Sequence, residues 1–212
     1  MTDYCINNYL ANNNPNHHID LNYKDDGQKE VYLFCRQFMK ENNLNNVTDV
    51  GCGSAYKLIN YLKDFNTIGI ETEPCYSYLK KTYPSSKWFL SGENEKSFKV
   101  YNELYNQDVV MCCDVIEHIV NPDTLVDYLL SLNSTYYIIS TPCREILCSH
   151  PKFSNIYKHT LNGPPRNSCH VREWTMTEFK KYIGNKFEIL SSYYCENQIE
   201  CQFHLLKQKN VK

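Results

Sequence analysis

Two short segments restrict the fold of this chain more than anything else in it: an apolar run that breaks into glycines, Val47-Thr48-Asp49-Val50-Gly51-Cys52-Gly53-Ser54-Ala55, and a second apolar run that ends on an acid, Thr67-Ile68-Gly69-Ile70-Glu71. Glycine has no Cβ, so backbone N–H groups and the start of the following helix can approach a ligand closely at such a turn. An acidic residue roughly twenty positions later, closing the next strand, is where α/β nucleotide folds hydrogen-bond a ribose. The pair predicts an α/β sheet with a cofactor at the carboxyl ends of its strands.

What the loop lacks narrows the cofactor. A dinucleotide fingerprint needs a third glycine for tight helix packing beside a pyrophosphate, and here the sixth position is the bulky Tyr56. Asp49 would also repel a pyrophosphate, but it suits a ligand with an ammonium group, as in S-adenosylmethionine (SAM). At these residues the chain resembles the class I SAM-dependent methyltransferases, whose first motif reads apolar, apolar, Asp, apolar, Gly-x-Gly-x-Gly; Ala55 replaces the third glycine. The segment Asp108 to Ile119, ending Cys113-Asp114-Val115-Ile116-Glu117-His118-Ile119 and followed by Asn121-Pro122, is similar to the V-x-E-H-x-x-x-P pattern after the fourth strand of many of these enzymes. The ordered set covers most of the chain.

Alternating strand and helix signals agree with that fold. A helix is expected over 28–42, from the spacing of Val31, Phe34, Cys35 and Phe38. Strands are expected at 46–50, 67–70, 87–90, 108–113 and 135–140, with helices at 56–63, 75–82 and 123–132. After Pro142 comes a polar, Pro- and Gly-containing stretch to Trp174, read as a substrate lid (143–174) because so long a loop is usually functional. A helix at 177–183 and a terminal strand pair, 187–194 and 200–206, complete the pattern. The Asn-rich residues 1–24 read as a flexible arm. The predicted architecture is one Rossmann-like α/β domain over 1–212: a mostly parallel seven-stranded sheet, helices on both faces and an antiparallel C-terminal edge hairpin.

Composition limits function. With 22 basic against 24 acidic residues, net charge -2, nothing draws the whole chain to phosphate polymers, so no nucleic-acid partner is expected. Eleven cysteines, odd in number and without C-x-x-C pairs, read as reduced thiols in a cytoplasmic protein. No signal-like or membrane-spanning apolar run is visible, so no membrane insertion is expected. The wealth of Asn, Lys, Tyr and Ile follows A/T-rich codons and is common in large DNA viruses of protists, which points to a viral protein in host cytoplasm.

The resemblance assigns roles. Asp49, Gly51, Cys52 and Gly53 would hold the methionyl end of SAM, Glu71 the ribose hydroxyls, and Cys113 and Asp114 would lie beside the methionine; His118 would begin the next helix near the methyl group. The segment Gly163 to Trp174, with Tyr56-Lys57-Leu58, looks like a subgroup linked to sugar and glycan O-methylation. There Arg172, Glu173 and Trp174 would face a polyhydroxylated ring, and His170 shares with His118 the role of general base, since histidine titrates nearest neutral pH. The alternatives are a backbone-bonded His118 and a lid-anchoring Arg172–Glu173 pair over a packed Trp174. Adenine recognition is open, with Gly92 where an acid is usual and Ser91 or Glu93 as substitutes.

No metal is expected, because Asp114, Glu117 and His118, crowded on one turn, cannot all converge on one ion. The expected reaction is transfer of the SAM methyl group to a sugar or glycan hydroxyl. Methylation of a quinone or lipid precursor and a non-catalytic protein with this fold are the alternatives. Base amino-methylation is disfavoured by Ser140-Thr141-Pro142-Cys143, and a nicotinamide oxidoreductase by Tyr56.

Overall fold

A computed structural model describes residues 4–21, 26–92, 98–153 and 160–209. Glu93 and parts of the expected arm (1–3 and 22–24) and lid (154–159) lie outside them. The elements run α1 (Lys29–Glu41), β1 (Asn46–Val50), α2 (Tyr56–Tyr61), β2 (Asn66–Glu71), α3 (Cys75–Thr82), β3 (Lys87–Leu90), β4 (Val109–Cys113), α4 (Pro122–Ser131), β5 (Tyr136–Pro142), α5 (Arg144–Ser149), α6 (Met176–Ile183), β6 (Phe187–Tyr194) and β7 (Cys201–Gln208).

One sheet of seven strands is ordered β3-β2-β1-β4-β5-β7-β6. β1 to β5 are parallel, and β7 alone runs against its neighbours, β5 and β6. Strand order reverses between β1 and β4, which opens a crevice at their carboxyl ends; open α/β sheets bind ligands there. The central strand β4, Val-Val-Met-Cys-Cys, is buried at every position, as a parallel strand covered on both faces must be. Its side chains alternate between two cores. Val109, Met111 and Cys113 join Val31, Leu58 and Leu79 of α1 to α3, whereas Val110 and Cys112 join Leu125 and Phe179 of α4 and α6.

Helix boundaries follow local chemistry. Asn121 caps α4 by accepting the Asp123 N–H at 3.2 Å, with Pro122 in the first turn where no donor is needed. Thr175 and Glu178 form a reciprocal capping box at α6. His118 does not begin a helix, contrary to expectation. It ends a single 3-10 turn, Ile116–His118, because the proline at 122 sets the helix start four residues later.

Two segments carry more structure than their sequence implied. Helix α5 lies inside the stretch expected to be a loop; Arg144 is buried and its guanidinium donates to both Glu178 oxygens at 2.7 and 2.6 Å, while its N–H reaches the Trp174 carbonyl at 2.9 Å. Residues 4–21 run as a strap over the 160–171 segment: the N–H groups of Leu10, Asn12 and Asn16 donate to the carbonyls of Asn162, Val171 and Ser168 at 2.6, 2.8 and 2.9 Å.

Candidate functional site

The glycine turn after β1 has the backbone its residues require. Gly51 and Gly53 have φ of 78° and 55°, the left-handed region, and a Cβ on Gly51 would collide with Val115. Ala55 shares this conformation at φ 56°, where a side chain costs about 1 kcal/mol. Ala55→Gly is therefore expected to raise the unfolding free energy by about 1 kcal/mol in urea titrations, by relieving that strain.

Around this turn lies a cavity of about 340 Å³, a size suited to a small-molecule cofactor. Gly51, Cys52 and Gly53 line it, as do Glu71 at the end of β2, Cys113 and Asp114 at the end of β4, and His118. From the strap come His17, His18 and Asp20; Ser91 after β3 and Phe98 complete one end. Sequence reasoning missed the strap residues and Gln28, Tyr32 and Gln198, which also line the cavity. They belong to no motif, and their approach depends on long-range packing.

Asp49 sits just beneath the cavity wall, fully buried. The Tyr32 hydroxyl donates to its Oδ2 at 2.7 Å, and Oδ1 is buried without a partner. Burial pushes its carboxyl up to about 6, against the Tyr32 hydrogen bond and the charge of Lys57, which both lower it. The Glu71 carboxylate accepts the Thr72 N–H at 2.7 Å and the Thr72 hydroxyl at 3.3 Å, and burial raises it to about 7. A cavity with buried acids and an unused acceptor is built for a ligand bearing donors and positive charge.

Beside this cavity, Glu117, His118 and His170 converge, each with one nitrogen or oxygen within 4.8 Å of the others. The lid segment makes this possible: the Val171 N–H donates to the Glu117 carbonyl at 2.7 Å, and Arg172 clamps the carbonyls of Ile119 and Val120 at 2.9 and 2.8 Å. The His118 ring meets His170 edge-on at 4.9 Å and is stacked by His18 of the strap at 5.3 Å. His118 Nδ1–H donates to the Cys169 carbonyl at 2.8 Å, and His170 Nδ1–H to the Glu173 carboxylate at 2.8 Å. Each ring therefore keeps an Nε2 lone pair, with a carbonyl or carboxylate fixing the tautomer, as metal-ligating histidines require. His170 Nε2 presently accepts from the Asn167 amide at 2.9 Å.

Burial pushes His118 down to about 3, so its imidazole is neutral. Burial and the adjacent Asp114 hold the Glu117 carboxyl well above the usual range, and its Oε1 lacks a partner. Glu117, His118 and His170 are together a mixed carboxyl and imidazole set of the type that ligates divalent ions. The expectation of no metal assumed ligands from one turn only. The fold replaces that set with one completed by His170 from more than fifty residues away, so the geometric objection no longer applies.

Arg172, Glu173 and Trp174, expected as substrate contacts, are buried and do not line the cavity. Trp174 is fully buried, stacked on Tyr182 at 5.8 Å with its indole N–H donating to the Tyr4 carbonyl at 3.2 Å. Arg172 is spent on the two carbonyls and on the Tyr4 ring, 4.6 Å away. Glu173 orients His170. Their polarity serves to seat the segment that delivers His170.

No protein-family model matches the sequence, and no curated protein matches it. Solved structures do match in shape. An S-adenosylmethionine-dependent methyltransferase from Clostridium acetobutylicum aligns at TM-score 0.62 and 16% identity, over 86% of this chain and 92% of that one. The fold is that of the SAM-dependent methyltransferases. The magnesium protoporphyrin IX methyltransferase of Synechocystis with bound SAH aligns at TM-score 0.61 and 14% identity, covering 86% and 84%. The methyltransferase domain of bacterial CtHen1-C aligns at 0.63 and 16%, covering 88% of this chain and all (100%) of that one. This fold places its open crevice where the cavity of this chain lies, at the β1/β4 switch point. Among the described residues, no helix is long and apolar enough to cross a membrane.

Proposed function

We propose that this chain is a SAM-dependent O-methyltransferase acting on a sugar hydroxyl, with a divalent metal held by Glu117, His118 and His170 beside the cofactor cavity. The observation that carries the reading is that juxtaposition: an acid-lined cavity at the glycine turn and, sharing His118 with it, three residues of metal-ligand type.

The residues fit the cofactor. Asp49 Oδ1, buried and without a partner, suits the ammonium of the methionyl end; the Gly51–Gly53 turn admits close approach, and Glu71 offers acceptors to ribose hydroxyls. Cys113 and Asp114 line the wall between the turn and His118, and Ser91 stands at the end where adenine would lie. When bound, SAM supplies a methyl carbon already activated as a sulfonium, so the protein's task is alignment and exclusion of water.

A sugar hydroxyl does not ionise near neutral pH, so it must be made more acidic or lose its proton to a base. A bound divalent ion lowers the pKa of an oxygen that it touches and orients it. An ion held there by three protein ligands would leave room for an acceptor oxygen and would make that hydroxyl more acidic. With an ion bound, Glu117, His118 and His170 would be its ligands, the two rings held in place by the Cys169 carbonyl and the Glu173 carboxylate. A mixed carboxylate and imidazole set suits Mn²⁺ or Co²⁺ better than Mg²⁺.

The test is incubation with labelled SAM and a panel of glycans, nucleotide sugars, oligonucleotides ending in a free ribose diol, quinols and lipid precursors, with and without chelator. Label on a diol-bearing acceptor, lost with chelator and restored better by Mn²⁺ than by Mg²⁺, is expected. Full activity in chelator would leave His118 as a simple base and remove the metal. Label on a quinol or lipid alone would remove the sugar, and absence of cofactor binding would leave a non-catalytic protein of this fold.

Cofactor affinity should depend on pH. Asp49 and Glu71 titrate at about 6 and about 7 in the free protein, and the proposed contacts use their ionised forms. Affinity for S-adenosylhomocysteine (SAH) is therefore expected to rise about tenfold or more between pH 5 and pH 8, then level off. Calorimetric titration at unit pH intervals measures it, and a flat profile would exclude Asp49 as the ammonium partner.

A further inference from the structure

A short run of the lid segment, residues 168–171, joins the histidine pair to the strap. His118 Nδ1–H donates to the Cys169 carbonyl, His170 follows it, and the residues on either side of these two are gripped by the strap. The Asn16 N–H donates to the Ser168 carbonyl at 2.9 Å and its side-chain amide to the Ser168 hydroxyl at 3.0 Å. The Asn12 N–H donates to the Val171 carbonyl at 2.8 Å and its amide to the Ser168 carbonyl at 3.1 Å. Two asparagines thus bracket the segment that delivers His170.

The same strap reaches into the cofactor cavity. Its His17, His18 and Asp20 line the wall, His18 stacks on the His118 ring at 5.3 Å, and a Cβ on Gly53 would collide with the Asp20 carboxylate. Toward its other end the Glu173 N–H donates to the Tyr9 hydroxyl at 3.1 Å, and the Arg144 guanidinium lies 4.4 Å from the Tyr9 ring centre. Between these ends every residue from 10 to 19 is exposed or half-buried, with Leu10 64% and Ile19 49% exposed. Exposed hydrogen bonds without apolar burial open at low cost, since water replaces them. A ligand touching His17, His18 and Asp20 adds contacts that only the closed strap offers, and so shifts it toward closure.

We propose that the strap couples the two parts of the site: a cofactor in the cavity holds the strap closed, the closed strap holds residues 168–171, and His170 is thereby set against Glu117 and His118. Cofactor and divalent ion then strengthen each other's binding by the same factor, as linkage requires. This coupling rests on the SAM and metal readings of the site.

Hydrogen exchange of the full chain, followed by mass spectrometry, tests the first link. Saturating SAH is expected to slow exchange about 10- to 100-fold in residues 10–20 and in residues 160–171 together. Protection of the first stretch alone, or of neither, would overturn the coupling. Calorimetry with Mn²⁺ tests the second link: SAH should tighten Mn²⁺ binding about 5- to 50-fold in wild type. The double variant Asn12→Pro/Asn16→Pro removes both backbone donors and both side-chain amides from the exposed strap, and there the gain should fall to within about twofold. Independent binding of SAH and Mn²⁺ to wild type would overturn the coupling and leave both ligand readings standing. An undiminished gain in the proline variant would also overturn it, because the ligands would then act on each other directly across His118. A wild type that binds no SAH, or no Mn²⁺, would overturn that ligand's reading and the coupling with it.

Discussion

Glu117→Gln is expected to lower methyl transfer about 100- to 10,000-fold while leaving SAH affinity within about twofold, the scale of removing an acid–base or metal contribution from a transition state. The substitution keeps the side chain's size and its hydrogen bond from the Thr141 hydroxyl at 3.2 Å, so the buried turn should remain folded. What it removes is the carboxyl group that would ligate an ion. Without it, His118 and His170 are two neutral ligands, too few to hold an ion against water. Metal content by mass spectrometry after loading with Mn²⁺ should fall in parallel with turnover. Should turnover fall with metal retained, Glu117 acts on the proton and not on an ion; an unchanged turnover would remove the centre from the mechanism altogether.

Asp49→Asn should make the free protein more stable and the cofactor weaker, two effects of opposite sign from one buried charge. Burial pushes the Asp49 carboxyl up to about 6 in the folded chain, from an ordinary value of 3.8. A carboxyl raised by folding contributes stability below pH 3.8 that is lost as pH climbs through 6, so at neutral pH the folded state bears the cost of an ionised, fully buried group. Asparagine keeps the acceptor for the Tyr32 hydroxyl and carries no charge. A gain of about 2 kcal/mol, or about 4 to 8 °C in Tm, is expected at pH 7, shrinking toward pH 4. SAH affinity should drop about 10- to 100-fold through loss of a charged hydrogen bond. Thermal melts at pH 4 and pH 7 with calorimetry in parallel check both halves, and a variant less stable than wild type at pH 7 would show that Asp49 stabilises the fold directly.

This trade-off belongs to the whole cavity. Asp49, Asp114, Glu117 and Gln28 each leave a buried polar atom without a partner in the free chain. Of these, Gln28 and Asp114 line the cavity, where a ligand can complete them.

Most of the architecture could be read before any coordinates, because it is carried by short-range signals. β1, α3, β3 and β6 begin and end at the residues that alternation and turn chemistry indicated. Each is a local run with its own punctuation, such as the Gly51 turn or the Pro84–Ser86 break, and burial of β4 on both faces follows directly from five consecutive apolar residues. Helix α5 escaped, since six residues give too short a periodicity to separate from a polar loop, and its anchor is the distant Glu178.

The site divides in the same way. That Gly51, Gly53, Glu71 and Asp114 would stand around one crevice was legible because backbone geometry ties a glycine turn and a strand-end acid to fixed places in a parallel sheet. Nothing local announced that Trp174 and Arg172 would be consumed by packing against Tyr4, that His17, His18 and Asp20 would be the arm residues to line the cavity, or that His170 would complete a set with Glu117 and His118. Periodicity and turn chemistry act over a few residues and so are written in the sequence. A contact between residues fifty or more positions apart depends on which buried donors and acceptors find each other once the chain has closed, and only the tertiary structure decides that.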